Sequence, residues 1–246
     1  MCIRDRVIGG LNPLSTDRAK QLYSSFCNGE MLLTNATTAE MAKLTENSFR
    51  DVNIAFANEL SIISDKLGID VWELIELANH HPRVNILNPG PGVGGHCIAV
   101  DPWFIVSSAQ EEAKLIRTAR EVNDGKPAYV IAKITEAVEA EGADSIAALG
   151  IAFKPDIDDL RESPALSIVQ QMAEKWPEKN ILVAEPNVNE LPESLTAYQN
   201  VQLVDASHAI SSSPVVAVLV DHTPFKSLEK SVLEGKNVVD TRGMWS

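Results

Sequence analysis

Apolar positions fall into two regimes along the chain. Up to about residue 141 they recur mostly at helical spacing. From Ser145 onward they gather in short runs separated by helix-compatible stretches. Before the first clear helix, Val7-Ile8-Gly9-Gly10 reads as the end of a strand, Ser15 to Phe26 as a helix and Glu30 to Thr34 as a short strand. No matching strand–helix start precedes them, so residues 1–36 are expected to be the tail of a larger α/β domain. Thr37 and Glu40 have the spacing of a capping box, and helix-compatible residues continue to Lys66, with Gly68 placed to stop them. The spacing predicts a helix of about 28 residues, roughly 40 Å long. Its Leu60, Ile63 and Leu67 need a partner from beyond the chain. Asp70 and Glu73 mark a second, shorter helix to about Asn79, followed by a Gly- and Pro-rich loop from His80 to Val100. Asp101-Pro102 opens further helix, since proline suits a first turn, and the pattern runs to about Glu141 with a break expected near Asp124-Gly125.

The second regime alternates apolar runs at Ile146–Ile151, Ile181–Ala184, Val201–Val204, Val215–Val220 and Val238–Val239 with helices expected near Pro164–Lys175 and Pro224–Leu233. Strands alternating with helices predict a parallel, doubly wound sheet. The expectation is therefore an α/β protein in three parts. Residues 1–36 are the remnant of a Rossmann domain, 37–141 a central region built on the long helix, and 142–246 a Rossmann-like parallel-sheet domain.

Composition narrows the function classes. With 21 Lys and Arg against 34 Asp and Glu, the formal charge is −13, which argues against a general nucleic-acid or membrane-surface binder. No apolar run approaches the roughly 20 residues of a membrane span. Met1-Cys2-Ile3-Arg4-Asp5-Arg6 has no apolar core of a secretory signal. Cys2, Cys27 and Cys97, scattered and odd in number, fit reduced thiols in the cytoplasm.

Three stretches carry candidate chemistry. Lys43, Asn47 and Arg50 share one face of the long helix. An amine, an amide and a guanidinium together suit a polar substrate, although periodicity alone favours a solvated face. The run from Gly90 to Pro102 contains Gly90, Gly92 and Gly95 in the formal pattern G-x-G-x-x-G. A dinucleotide turn needs a strand before it and a helix directly after it. Here Asn88-Pro89 precedes the pattern, so the glycines are expected instead to let backbone approach a ligand closely. Cys97, four residues before Asp101, is either a nucleophile with a carboxylate to steer water or a small buried hydrophobe. His80, His81, His96, Cys97 and Asp101 lack the spacing of a zinc site. Finally, the segment from Phe153 to Pro164 follows the first strand of the last domain, where ligands of open sheets gather. Its Lys154 and Arg161 suit phosphates, while Ser163 and Pro164 have the makings of a helix start. His208 and His222 carry no spacing signal and are expected to be structural.

Taken together these motifs are specific. Ala39 to Asn47 with Phe49-Arg50 and Phe56 to Leu60 resembles the central helix of the UDP-glucose/GDP-mannose dehydrogenase family. Gly94-Gly95-His96-Cys97 with Asp101-Pro102 resembles its cysteine loop. Phe153-Lys154 with Asp159 to Pro164 resembles the opening of its UDP-binding domain. The likeness runs from about Arg6 to Trp245.

The resemblance implies a four-electron oxidation of a UDP-sugar C6 alcohol to the uronic acid, with NAD as cofactor, in polysaccharide biosynthesis. UDP-N-acetylmannosamine is the first candidate substrate, with UDP-N-acetylglucosamine and UDP-glucose as alternatives. A nucleotide-sugar-binding and dimerisation module without chemistry is the reading from another class. By the same resemblance Lys43 is an acid/base, Asn47 places a water or stabilises an oxyanion, Cys97 attacks the C6 aldehyde and Asp101 assists thioester hydrolysis. Arg50, His81, Arg83, Gly94, Phe153 and Lys154 are implied substrate contacts, and Arg161 is implied to reach NAD. Arg242 stands where relatives carry a lysine, which keeps the charge and changes its geometry. The long helix is implied to pair two subunits in a homodimer or higher homo-oligomer. The family begins with a complete NAD-binding Rossmann domain, of which this chain carries only the tail. The chain is accordingly expected to be a fragment, inactive as it stands.

Overall fold

The computed structural model describes residues 5–245. Cys2 and the first residues inspected for a leader lie outside them. Strands β1 (Arg6–Gly10) and β2 (Met31–Asn35) pair in parallel, joined by helix α1 (Pro13–Ser24). This helix lies two residues earlier than expected. Pro13 takes the first turn, and Asn12 caps it by accepting from the Ser15 amide at 2.9 Å.

Helix α2 spans Ala36–Leu67 and ends at Gly68 in the left-handed conformation, φ 67°. Its start corrects the expected Thr37–Glu40 box. Asn35, still extended, caps the helix by accepting from the Thr38 amide at 2.9 Å, so Thr37 already lies inside the first turn. Asp70 caps α3 (Val71–Asn79) as expected, accepting from the Trp72 amide at 2.8 Å. The loop to Val100 is irregular, and α4 (Asp101–Ser108) carries Pro102 in its first turn.

The expected break at Asp124-Gly125 does not occur. Helix α5 (Lys114–Glu141) runs through Gly125 and Pro127, and the interruption lies instead between Ala109 and Ala113. Proline removes one helical hydrogen bond, but the side chains around it are anchored on α2. Arg120 pairs with Asp51 at 2.6 Å, Asn123 bonds Asp51 and Asn58, and Lys126 donates to Ser61. Tertiary bonds override the local breaker.

The last part is a five-stranded, fully parallel sheet in the order β5–β4–β3–β6–β7. Its strands are β3 (Ser145–Leu149), β4 (Asn180–Ala184), β5 (Val201–Leu203), β6 (Val215–Val218) and β7 (Asn237–Asp240). The central strand β3 has no solvent exposure from Ile146 to Leu149, as a sheet covered on both faces requires. Helix α6 (Pro164–Lys175) starts where Ser163 and Pro164 predict, and packs with the C-terminal half of α5 on one face through Ile168, Met172, Val130 and Ile134. The helices α7 (Glu193–Thr196) and α8 (Ala206–Ser212) were not anticipated, and the expected helix Pro224–Leu233 splits into α9 (Thr223–Lys226) and a 3₁₀ turn. Ile210 and Phe225 cover the other face. A boundary at 141/142 therefore divides the sequence but not the core, because α5 belongs to both parts.

Candidate functional site

The polar face of α2 meets the loop that precedes α4. Asn47 is buried, and its two amide atoms are spoken for: Lys43 Nζ donates to its Oδ1 at 3.2 Å, and its Nδ2 donates to Asp101 Oδ2 at 2.5 Å. Lys43 also lies 3.6 Å from Glu46, with 61% of its side chain exposed. The solvated-face reading thus holds for Lys43 and Arg50 but fails for Asn47 between and beneath them. The Asp101 amide donates to the Cys97 carbonyl at 2.8 Å, which sets the thiol one turn above the carboxylate. Cys97 is a free, exposed cysteine, so it is not the small buried hydrophobe of the alternative reading.

A buried polar chain holds the start of the glycine loop. The Gly90 amide donates to Asn58 Oδ1 at 2.9 Å, Asn58 donates to Asn123, and Asn123 donates to Asp51, which is paired with Arg120. Burial pushes the Asp51 carboxyl above its ordinary range, with the Arg120 guanidinium pulling the other way. The glycines themselves are explained differently from the expectation. A side chain on Gly94 would meet the Glu162 carbonyl at 2.5 Å, and Gly95, at φ 88°, faces the Phe153 ring at 3.0 Å. What comes close to this backbone is the sheet domain of the same protein.

Between the two parts lies a cavity of about 290 Å³ lined by Arg50, Gly94, Phe153, Lys154 and Arg242. Ile98, next to Cys97, lines it too. Three cations therefore face one space, whose lining reaches Ile98 but not Cys97, Lys43, Asn47 or Asp101. Arg242 is oriented by Asp221, whose Oδ1 accepts from its Nε at 2.8 Å. Burial pushes Asp221 up, but Lys226 and Arg242 outweigh it and hold the carboxyl below its ordinary range. The structure does not bring His81, Arg83 or Arg161 to this cavity. His81 and Arg83 sit exposed on the loop after α3, and Arg161, 72% exposed, is turned back onto Asp159 at 2.7 Å. That contact holds the Asp159 carboxyl down to about 2.

The sequence did not single out the pair that shapes the Phe153–Lys154 turn. Glu185, just past β4, accepts from the Ile151 and Ala152 amides at 2.9 and 3.1 Å. His222, fully buried, places Nε2 3.0 Å from the same carboxylate and accepts from the Asp156 amide at 3.0 Å with Nδ1. Burial pushes Glu185 up, yet the His222 ring and the Ile151 and Asn187 amides prevail and hold it below its ordinary range. The available signal was position: both residues follow strands of the sheet at the carboxyl end, where ligand loops gather.

Among the described residues no three His, Cys, Asp or Glu side chains are grouped to hold a metal, and no helix is long and apolar enough to cross a membrane. The one G-x-G-x-x-G lies in the loop packed against Phe153 and does not open a helix directly, as the sequence reading expects.

Two sequence profiles match: the UDP-glucose/GDP-mannose dehydrogenase family central domain over residues 37–125, and the UDP binding domain of that family over 147–246. The chain belongs to the UDP-glucose/GDP-mannose dehydrogenase family. Among its relatives, the UDP-N-acetyl-D-mannosamine dehydrogenase of Salmonella typhi is 55% identical over 98% of this chain and 59% of its own. The NDP-N-acetyl-D-galactosaminuronic acid dehydrogenase of Ralstonia nicotianae is 56% identical over 98% of this chain and 56% of its own. In structure, the UDP-D-ManNAc dehydrogenase of Pyrococcus horikoshii superposes with a TM-score of 0.84 at 38% identity, over 98% of this chain and 57% of that one. The UDP-N-acetyl-mannosamine dehydrogenase of Staphylococcus aureus gives 0.80 at 42% identity, over 98% and 55%. The chain thus spans a little over half the length of the relatives it matches.

Proposed function

We propose that this chain carries the nucleotide-sugar site and cysteine centre of a UDP-sugar 6-dehydrogenase that oxidises a C6 alcohol to the uronic acid, with UDP-N-acetylmannosamine as substrate. The observation that carries the reading is the junction itself. An exposed thiol stands one turn from a carboxylate that is bonded through Asn47 to Lys43, beside a cavity faced by Arg50, Lys154 and Arg242. The cations suit a diphosphate, and the two relatives named above are a UDP-N-acetyl-D-mannosamine dehydrogenase and an NDP-N-acetyl-D-galactosaminuronic acid dehydrogenase.

In this reading Lys43 takes the proton of the C6 hydroxyl as the C6 carbon gives up a hydride, which leaves the aldehyde. The Cys97 sulfur adds to the resulting aldehyde carbon, holding a reactive intermediate in place. After the second oxidation, Asp101, oriented by Asn47, takes a proton from water as that water attacks the thioester carbonyl, and the C–S bond breaks to return the thiolate. His81 and Arg83 are assigned to substrate and Arg161 to cofactor on family resemblance. The family implies NAD⁺ as the acceptor of both hydrides. The proposal is confined to what this chain's own side chains do.

The reading extends to a homodimer formed through α2. Phe49, Phe56 and Ile63 are 70%, 53% and 44% exposed and recur every seven residues, with Leu67 exposed beyond them. Of the expected trio only Leu60 is half-buried within the chain. A second copy is the partner that covers such a stripe. The proposal places the protein in the cytoplasm and in polysaccharide biosynthesis.

Calorimetric titration of the chain with UDP and with UDP-N-acetylmannosamine tests the site. Saturable binding that Lys154→Ala and Arg242→Ala both weaken is expected. Absence of binding, or binding indifferent to both substitutions, overturns it.

A further inference from the structure

A second and larger cavity, about 620 Å³, lies between the C-terminal half of α2, the start of α3, α5 and the edge strand β7. Nothing in the proposed chemistry uses it. Its wall holds a buried cation. Lys126 is 4% exposed, pairs with no carboxylate among the described residues, and donates to Ser61 Oγ at 2.5 Å, with the Tyr129 ring centroid 4.7 Å away. A buried charge whose nearest acid, Asp65, is in direct contact with another lysine is costly. Burial holds the Lys126 ammonium down to about 8, with Asp65 pulling the other way.

The acids lining the same space are already engaged. Asp65 accepts from Tyr129 at 2.6 Å and pairs with Lys133, Glu136 pairs with Lys133, Asp70 caps α3, and Asp240 accepts from the Arg242 and Trp245 amides. The remaining polar atoms are donors in search of an acceptor. Ser64 is 2% exposed, and its Oγ has no hydrogen-bond partner. On β7 the amides of Asn237 and Thr241 donate across to Pro214 and Val218. Strand alternation therefore turns the amides of Val238 and Asp240 away from β6, to the open edge of the sheet that borders this cavity.

We propose that this cavity is a second ligand site, separate from the cysteine cavity, which takes a small molecule bearing a carboxylate or phosphate against Lys126, Ser64 and the outward amides of β7. An oxyanion supplies the acceptor these groups share, and it gives Lys126 its missing counter-charge. The site touches the first cavity back to back: Pro89 and Thr241 line one, while their neighbours Gly90 and Arg242 line the other. A bound anion is thus placed to bias the Arg242 end of the substrate cavity.

The test is calorimetry of the whole 246-residue chain with inorganic phosphate and with citrate, at constant ionic strength, together with amide chemical shifts. Phosphate stabilises many proteins by exclusion from their surface, so the criterion is saturable binding with a stoichiometry of one. At least one anion is expected to bind, with phosphate and citrate distinguishing the two chemistries. Binding should be lost in Lys126→Met, be weakened several-fold in Ser64→Ala, persist in Lys154→Ala and shift the amides of Val238 and Asp240. Lys126→Met removes the bond to Ser61 together with the buried charge, so its fold is checked by amide dispersion, and Ser64→Ala, which keeps that bond, carries the test where Lys126→Met does not fold. No saturable binding of either anion to the parent, binding retained in both Lys126→Met and Ser64→Ala, or shifts confined to the Phe153–Lys154 turn would overturn the proposal.

Discussion

The Asn47 side-chain amide lies 2.5 Å from the Asp101 carboxylate, although the two residues are 54 positions apart in sequence. The contact ties the polar face of α2 to the turn that presents Cys97, and its other end receives the Lys43 ammonium. One buried amide thus fixes the spacing of the Lys43 and Asp101 charges.

Replacing that amide with an apolar side chain of similar size, Asn47→Leu, leaves Asp101 without its donor. A loss of about 1–3 kcal/mol in stability is expected from the unsatisfied carboxylate, measured by urea unfolding. In a complete enzyme, turnover should fall far more than nucleotide-sugar affinity. An equal loss in kcat and in binding would mean that Asn47 only supports the fold.

The buried Glu185–His222 pair makes a pH prediction. The Glu185 carboxyl is held below its ordinary 4.5, so its contribution is fully present above that value and is lost as pH falls through the lower folded value. Glu185→Gln should cost about 3 kcal/mol at neutral pH and flatten the fall in melting temperature below about pH 4.5. A parallel profile in parent and variant would refute the assignment. UDP affinity should drop along with it, because the pair braces the backbone that presents Phe153 and Lys154.

Lys126 gives a slope of the same sign at higher pH. Its folded pKa of about 8 lies below the ordinary 10.5, so the unfolded chain binds more protons between those values and stability rises with pH there. Denaturant unfolding at about pH 7.5 and about pH 9.5 should show the parent gaining stability relative to Lys126→Met, which lacks the effect. Tyr129, pushed up by burial and by its bond to Asp65, adds a term of contrary sign only where an ordinary tyrosine would ionise. Equal pH dependence in parent and variant would show that Lys126 is not desolvated.

Much of this was legible in sequence because it depends on local rules. Gly68 ending α2, Asp70 capping α3 and Ser163-Pro164 opening α6 are each set by backbone chemistry within one turn. The parallel sheet follows from near-continuous apolar strands. What escaped depends on partners distant in sequence. The helix continues past Pro127 because Arg120, Asn123 and Lys126 bond to α2, and no local pattern records those bonds. The Glu185–His222 pair joins two strand ends 37 positions apart. The glycines of the cysteine loop showed that something approaches closely, but not that Phe153 and Glu162 are among the neighbours. Lys43, Asn47, Asp101 and the lining of the 290 Å³ cavity were legible through family motifs, whereas Arg161, His81 and Arg83 stand apart in the structure.

The α2 stripe predicts association. Sedimentation at micromolar concentration should give a dimer, and Phe56→Glu, a charge in the middle of the stripe, should shift it to monomer without lowering the melting temperature of the isolated subunit. A parent that stays monomeric, or a Phe56→Glu variant that stays dimeric, counts against α2 as the interface.

The most direct test of the cysteine centre joins this chain to the part of the Salmonella typhi relative that it does not match, and follows UDP-N-acetylmannosamine oxidation with acid-quench mass spectrometry. The account predicts uronic acid formation in the parent and a thioester adduct on the peptide containing Cys97, accumulating in Asp101→Asn. In Cys97→Ser, nucleotide-sugar binding should be retained while uronic acid formation falls by orders of magnitude, because a serine hydroxyl has a much higher pKa than a thiol. Uronic acid formed by Cys97→Ser at close to the parent rate, with no adduct at Cys97 in any variant, would contradict it.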